Sequence, residues 1–215
     1  LVLPDDVRKD AEARREALNA ADVAFLCLPD AAAVEAAAMV TNPRTVVIDT
    51  STAHRTAADW EYGFPEIGDR RARLSVAKRI ANPGCHASGF IALVAPLVAA
   101  GILPEDAELS AFSLTGYSGG GKKMIAEYEG RLGGDAVSPG DSLYLGGRQY
   151  ALAQAHKHLP EMAKICGLAK APVFCPVVVP HGSGMEVTVP LHGSRVRGDL
   201  AAIRACYANH YRANG

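Results

Sequence analysis

Two patterns of apolar residues divide this chain. Up to about residue 84, short β-branched runs alternate with alanine-rich, helix-prone stretches. VRKDAEARREALNAA (7–21) is charged and suited to a surface helix, and VAFLCLP (23–29) is a short apolar run that proline ends. Asp30 is placed to cap DAAAVEAAAMV, and after Asn42-Pro43 comes a second β-branched run, TVVIDTS (45–51). Strand, helix and strand at this spacing predict a parallel βαβ unit with a right-handed crossover. Its ligand-binding edge would lie at the carboxyl ends of the strands, where CLPD and DTSTAHR fall.

After Cys85 the pattern changes. A long apolar helix is expected over 86–100, then a strand over 108–116. A glycine-rich polar stretch follows over 117–142, too irregular for core. AHKHLPEMAKICG reads as a loop entering a helix. VFCPVVVPHGSGMEVTVPLHG reads as two antiparallel strands around a His-Gly-Ser-Gly turn, and DLAAIRACYANHY as a closing helix capped by Asp199. The residues thus predict an α/β chain, a nucleotide-type parallel-sheet part joined to an α+β part near Cys85.

Composition narrows the function. Of the 215 residues 49% are hydrophobic and 21% charged, with a net charge of -1, so nucleic acid and anionic membranes are poor partners. No stretch approaches the ~18 to 20 apolar residues of a membrane span. The five cysteines form no C-x-x-C pair, which argues against a disulfide framework or a metal site and for a reducing, cytoplasmic setting. The chain opens at LVLPDD without Met and reads as a piece of a longer protein.

Four stretches carry candidate chemistry. In ANPGCHASGF (81–90), Cys85 follows Pro-Gly at a helix start, where N–H groups favour a thiolate and can stabilise an oxyanion; Asn82 can add a donor. The alternative is a buried structural cysteine, as expected of Cys27. His156 and His158, with Glu161 behind them, supply the base that a nucleophilic cysteine needs, or are two exposed histidines at a helix start. DTSTAHR (49–55) brings Ser51, Thr52, His54 and Arg55 to a strand end, where Arg55 suits a carboxylate or phosphate unless it is a surface residue. SGGGKK (118–123) is a phosphate cradle or a flexible turn.

LCLPD (26–30), VIDTSTAHR (47–55), YGFPE (62–66), ANPGCHASGF, LTGYSGGGKK (114–123) and HKHLPE (156–161) occur in one order and spacing. Together they make the chain resemble the N-acetyl-gamma-glutamyl-phosphate reductases, in particular the shorter type, of the semialdehyde dehydrogenase superfamily. The resemblance implies a partial NADP-binding Rossmann-like domain over 1–84, its glycine loop lying before residue 1. It also implies a catalytic and dimerisation domain over 85–215, whose returning segment lies beyond residue 215. By the same resemblance Cys85 is the nucleophile and His156 the acid–base residue, with Glu161 and Asn82 supporting them. Arg55, Ser51 and His158 then face the substrate, an acyl phosphate. Pro29, Thr52, Ser118, Gly119 and Gly120 face NADP(H), with no metal, in a homodimer or homotetramer. The rival readings are an aspartate-semialdehyde dehydrogenase, a Cys–His hydrolase and a non-catalytic binding module.

Overall fold

The computed structural model describes residues 3, 4, 6–132 and 142–213, in two compact units: Leu1–Gly84 with Ala208–Gly215, and Cys85–Tyr207. In the first unit, helix α1 (Ala11–Ala20) buries no residue and is capped by Asp10, whose carboxylate accepts from the Ala13 N–H at 2.8 Å. Strand β1 (Val23–Leu26), helix α2 (Asp30–Ala38) and strand β2 (Val46–Asp49) follow. Strand β3 (Glu61–Tyr62), helix α3 (Arg70–Leu74) and strand β4 (Arg79–Ala81) complete a sheet of order β1-β2-β4-β3, parallel throughout. Leu26, Ala36, Val40, Val47, Trp60 and Ala81 form its core. Asn19 ties α1 to the segment after α2, with its side-chain oxygen accepting from the Thr41 and Asn42 N–H groups.

Two expectations for this unit are corrected. Asp30 does not cap α2; Pro29 holds that position, and the Asp30 carboxylate accepts from the backbone N–H and hydroxyl of Thr52 instead. Cys27 is exposed rather than core, because alternation along β1 turns Ala24 and Leu26 inward and leaves the odd positions outside.

The second unit begins with helix α4 (Cys85–Ala99), whose Phe90, Ile91, Val94 and Leu97 are buried. Strand β5 (Ser110–Gly116), a 3₁₀ turn at Tyr117–Gly120, helices α5 (Gly121–Leu132) and α6 (Ser142–Leu145) and strand β6 (Arg148–Gln149) come next. Helix α7 (Leu159–Cys166), strands β7 (Val173–Val179) and β8 (Met185–Thr188) and helix α8 (Leu200–Ala213), which belongs to the first unit from Ala208 on, complete the order. The Asp199 carboxylate accepts from the Ala202 N–H at the start of α8, as the sequence suggested. Part of the glycine-rich stretch is helical and contributes Tyr128, fully buried, to the core; residues 133–141 lie outside the described residues.

The His-Gly-Ser-Gly segment is not a hairpin turn. The sheet order is β6-β7-β5-β8, so β5 lies between β7, which it pairs in parallel, and β8, which it pairs antiparallel. The connection therefore passes around the end of β5. The N–H groups of Gly116, Tyr117 and Ser118 donate to the carbonyls of Gly184, His181 and Gly182 at 3.0 Å each. A Cβ on Gly116 would stand 2.8 Å from the Gly182 and His181 oxygens, so only glycine admits this closure. Gly89 does the same for α4, since a Cβ there would meet Val187 of β8 at 2.5 Å. No helix among the described residues is long and apolar enough to cross a membrane.

Candidate active site

Cys85 is the first residue of α4, and its thiol is exposed. The helix behind it is anchored by apolar packing, and a helix N-terminus favours a thiolate over a thiol. His86 points the other way and is 3% exposed. Its Nδ1 lies 2.6 Å from the Ser113 Oγ on β5, and its Nε2 lies 2.7 Å from the Tyr150 hydroxyl. Burial, then the charge of His156, lowers its pKa to about 4, so the ring is neutral near pH 7. Burial, then the negative charge of Cys85, pushes Tyr150 up to about 12.

The segment carrying Tyr150 and His156 is fastened along β7. Gln154 makes two hydrogen bonds with the Phe174 backbone, donating to its carbonyl and accepting from its N–H, both at 2.8 Å. Ala151 and Gln154 both have φ 53°, the left-handed region that costs an L-residue about 1–2 kcal/mol. The bonds to β7 hold that strained bend and fix the residues between.

His156 is half-buried and packs edge-on against Phe174 and His158, with ring centroids 5.1 and 4.6 Å apart. Burial, then the neighbouring Lys157, lowers its pKa. The His158 N–H donates to His156 Nδ1 at 3.2 Å, which leaves the neutral ring with its proton on Nε2. His158 is 4% exposed and sits 3.9 Å through Nε2 from Glu161, which is fully buried. The Glu161 carboxylate thus faces His158. Cys85, His86, Tyr150, His156 and His158 form one cluster with Ser113 at its base.

Ser118, Gly119 and Gly120 occupy the exposed 3₁₀ turn after β5. The Ser118 N–H is already bonded to Gly182, and a Cβ on Gly119 would stand 3.0 Å from Thr115 Oγ1.

The other predicted residues belong to the first unit. Asp49, fully buried at the end of β2, accepts from the Ser51 N–H at 2.9 Å and hydroxyl at 2.7 Å, and meets His54 Nδ1 at 2.6 Å. His54 stacks on Trp60 at 3.9 Å. Arg55 is 8% exposed, donating from Nε to the Asn82 carbonyl at 2.9 Å and from Nη2 to the Thr50 carbonyl at 3.2 Å. Asn82 is exposed, and its amide donates to the Pro83 carbonyl at 3.2 Å. Pro29 is exposed at the carboxyl end of β1, and Thr52 is held by Asp30. No group of metal-ligating side chains occurs among the described residues.

Sequence reasoning missed His86, Ser113 and Tyr150, and it placed His54 at the strand end without its contact to Asp49. Only His86, adjacent to the candidate thiol, carried a local signal.

A parallel-sheet unit joined to a mixed sheet with an exposed cysteine at a helix start defines a class, and the comparisons with known proteins assign it. Residues 85–215 match the family described as semialdehyde dehydrogenase, dimerisation domain, and residues 5–75 match semialdehyde dehydrogenase, NAD binding domain. The chain belongs to the semialdehyde dehydrogenase family. Within it, the chain is 44% identical over 214 residues to the N-acetyl-gamma-glutamyl-phosphate reductase of Burkholderia cenocepacia, covering 98% of this chain and 66% of that protein. It is 46% identical over 218 residues to the reductase of the same name from a Chelativorans species, again 98% of this chain and 66% of the other. The chain thus spans just under two thirds of the length of these relatives. Among solved structures, aspartate semialdehyde dehydrogenase II from Vibrio cholerae shares the fold, with a TM-score of 0.67 at 20% identity, over 88% of this chain and 60% of that one. The enzyme with NADP from Candida albicans gives 0.59 at 16% identity, over 86% and 55%.

Proposed function

We propose that this chain is part of a cytoplasmic N-acetyl-gamma-glutamyl-phosphate reductase, which reduces N-acetyl-L-glutamyl 5-phosphate to the 5-semialdehyde in arginine biosynthesis. The observation that carries the chemistry is the exposed Cys85 thiol at the start of an anchored apolar helix, with neutral His156 in the same cluster. The choice of substrate rests on relatives 42–46% identical over 98% or more of the chain, all of that name.

The Cys85 thiolate attacks the acyl carbonyl, a C–S bond forms, and the C–O bond to phosphate breaks, leaving a thioester and inorganic phosphate. The helix N–H groups stabilise the oxyanion of that step. His156, with its proton on Nε2, is set to donate to the departing phosphate or to the carbonyl oxygen. Arg55 and Ser51 are assigned to the anionic end of the substrate, Arg55 also bracing the loop through Thr50 and Asn82. The exposed Cys27–Asp30 turn, at the carboxyl ends of two parallel strands, fits a dinucleotide, with Pro29 and Thr52 beside it. NADPH bound there would supply a hydride to the thioester carbon, and the C–S bond then breaks, releasing the aldehyde and returning Cys85 as its thiolate.

The second sheet turns an apolar face outward, with Phe112 45%, Leu114 40% and Val173 54% exposed. A second copy of the chain covers it in this reading, which accords with the dimerisation domain of the family. Phe112→Glu is expected to shift the sedimenting mass to that of a monomer.

The activity is tested on the full-length gene product in reverse, by following NADP⁺ reduction with N-acetylglutamate semialdehyde and phosphate. Omission of phosphate is expected to abolish the signal. Activity with aspartate semialdehyde instead would move the assignment to the aspartate branch of the family.

A further inference from the structure

Strand β6 leaves β7 before its pairing is complete. Arg148 and Gln149 lie opposite Val178 and Val177, and the Tyr150 N–H donates to the Pro176 carbonyl at 3.3 Å. Continued in that register, Leu152 would lie opposite Phe174 and exchange two hydrogen bonds with it. The chain turns away instead: Ala151 takes φ 53°, and Leu152 is 72% exposed. The Gln154 side chain takes the place that Leu152 gives up. Its amide accepts from the Phe174 N–H and donates to the Phe174 carbonyl, both at 2.8 Å. A primary amide carries the donor and the acceptor of a peptide group, so one side chain stands in for a strand residue.

The same Phe174 meets His156 through its ring. Phe174 is 1% exposed, and its ring packs edge-on against His156 at 5.1 Å and against His86 at 5.3 Å. Gln154 therefore grips the backbone of the residue on which the His156 ring rests. We propose that Gln154 is a positioning residue, which substitutes for the missing strand residue and so holds the His156 imidazole at Phe174. Its effect on turnover rests on the role of His156 proposed above. Without the two bonds, the buried Phe174 N–H and carbonyl lose those partners, and the left-handed bend at Ala151 and Gln154 loses its anchor. The His156 ring then has no fixed place from which to give its proton.

Two readouts test this, the first without acyl phosphate or cofactor. The imidazole titration of His156, which burial and then Lys157 set below the ordinary 6.5, is followed by NMR and assigned by its loss in His156→Asn. In Gln154→Leu, which keeps the bulk and removes both hydrogen bonds, it is expected to rise toward 6.5 as the ring leaves Phe174, with circular dichroism unchanged. An unmoved titration overturns the proposal. The second readout is steady-state kinetics of the full-length enzyme, in which Gln154→Leu should lower kcat about tenfold and leave KM within about twofold. A change confined to KM overturns it. Amide exchange at Phe174 in the unsubstituted chain guards against a variant that misfolds. That N–H should be protected, and free exchange overturns the grip whatever the variant does. A moved titration in an enzyme without reductase activity upholds the positioning and rejects the reductase instead.

Discussion

Two polar clusters in this chain have similar ingredients and opposite ends. At the end of β2, Asp49, Ser51, His54 and Arg55 bond to one another and to backbone carbonyls, and Trp60 covers the imidazole. At the start of α4, Ser113, His86 and Tyr150 bond in series, and Cys85, the residue before His86, is exposed. The first cluster ties a loop to the end of its strand and fixes its shape. The second adjoins an exposed thiol in the chain, where a reacting atom can sit. A histidine, a serine and an acid in proximity are therefore no sign of catalysis until the direction of their hydrogen bonds is known.

That distinction predicts unequal costs of substitution. The largest belongs to Cys85: in the full-length enzyme Cys85→Ser should lose on the order of 10³-fold or more in kcat, since the alcohol has no comparable activation. Steady-state rates in the phosphate-dependent assay check it, and retained turnover would transfer the chemistry away from α4. Next, His156→Asn should reduce kcat by roughly 10²-fold. His158→Asn should cost less turnover and more stability, because His158 is 4% exposed. Comparing kcat with the urea midpoint of each variant separates the two.

Acid should act on the cluster at the start of α4 through His86. The pKa of His86 in the folded chain, about 4, lies below the ordinary 6.5, so the unfolded chain takes up its proton first. Stability from this group is intact above pH 6.5 and is lost as pH falls toward 4, by at most about 3 kcal/mol. The facing groups are Ser113, Tyr150, His156, His158 and Phe174; of these His156 has a pKa lowered in the same direction. Urea unfolding from pH 7.5 to 4.5 should therefore show a flatter pH slope in His86→Gln than in the parent. The smallest effect is at Arg55. Arg55→Lys should lower stability by about 1–2 kcal/mol, because an ammonium cannot span the Thr50 and Asn82 carbonyls. It should also raise KM while leaving Cys85 alkylation unchanged. A fall in stability with KM unmoved would confine Arg55 to bracing.

The parallel βαβ start was legible because alternation and helix propensity act over a few residues: Val23–Leu26, Asp30–Ala38 and Val46–Asp49 all fall within predicted runs. The course of the second sheet was not. Val173–Val179 and Met185–Thr188 flank a glycine turn and look like a hairpin, but both pair with β5, which lies far back in the sequence. Periodicity carries no record of that long-range choice. Cys85 was visible from Pro83-Gly84 ahead of it and the apolar run behind. Tyr150 was invisible, since its value comes from a strained bend pinned to β7 by Gln154. Asp30 misled, because a residue able to cap its own helix was used to tie down Thr52.

The placement of β5 also governs the order in which the second unit can be assembled. Ser110 pairs with Val173 and Thr115 with Met185, so the central strand leaves the ribosome about sixty residues ahead of its first partner. Until then Phe112 and Leu114 sit on a strand with both edges bare, the condition under which chains mispair with their neighbours. Closure comes last, when His181, Gly182 and Gly184 reach over Gly116 and lock β8 beside it. A bulkier residue at position 116 would thus act on the yield of folded protein before it acted on any rate the folded protein shows.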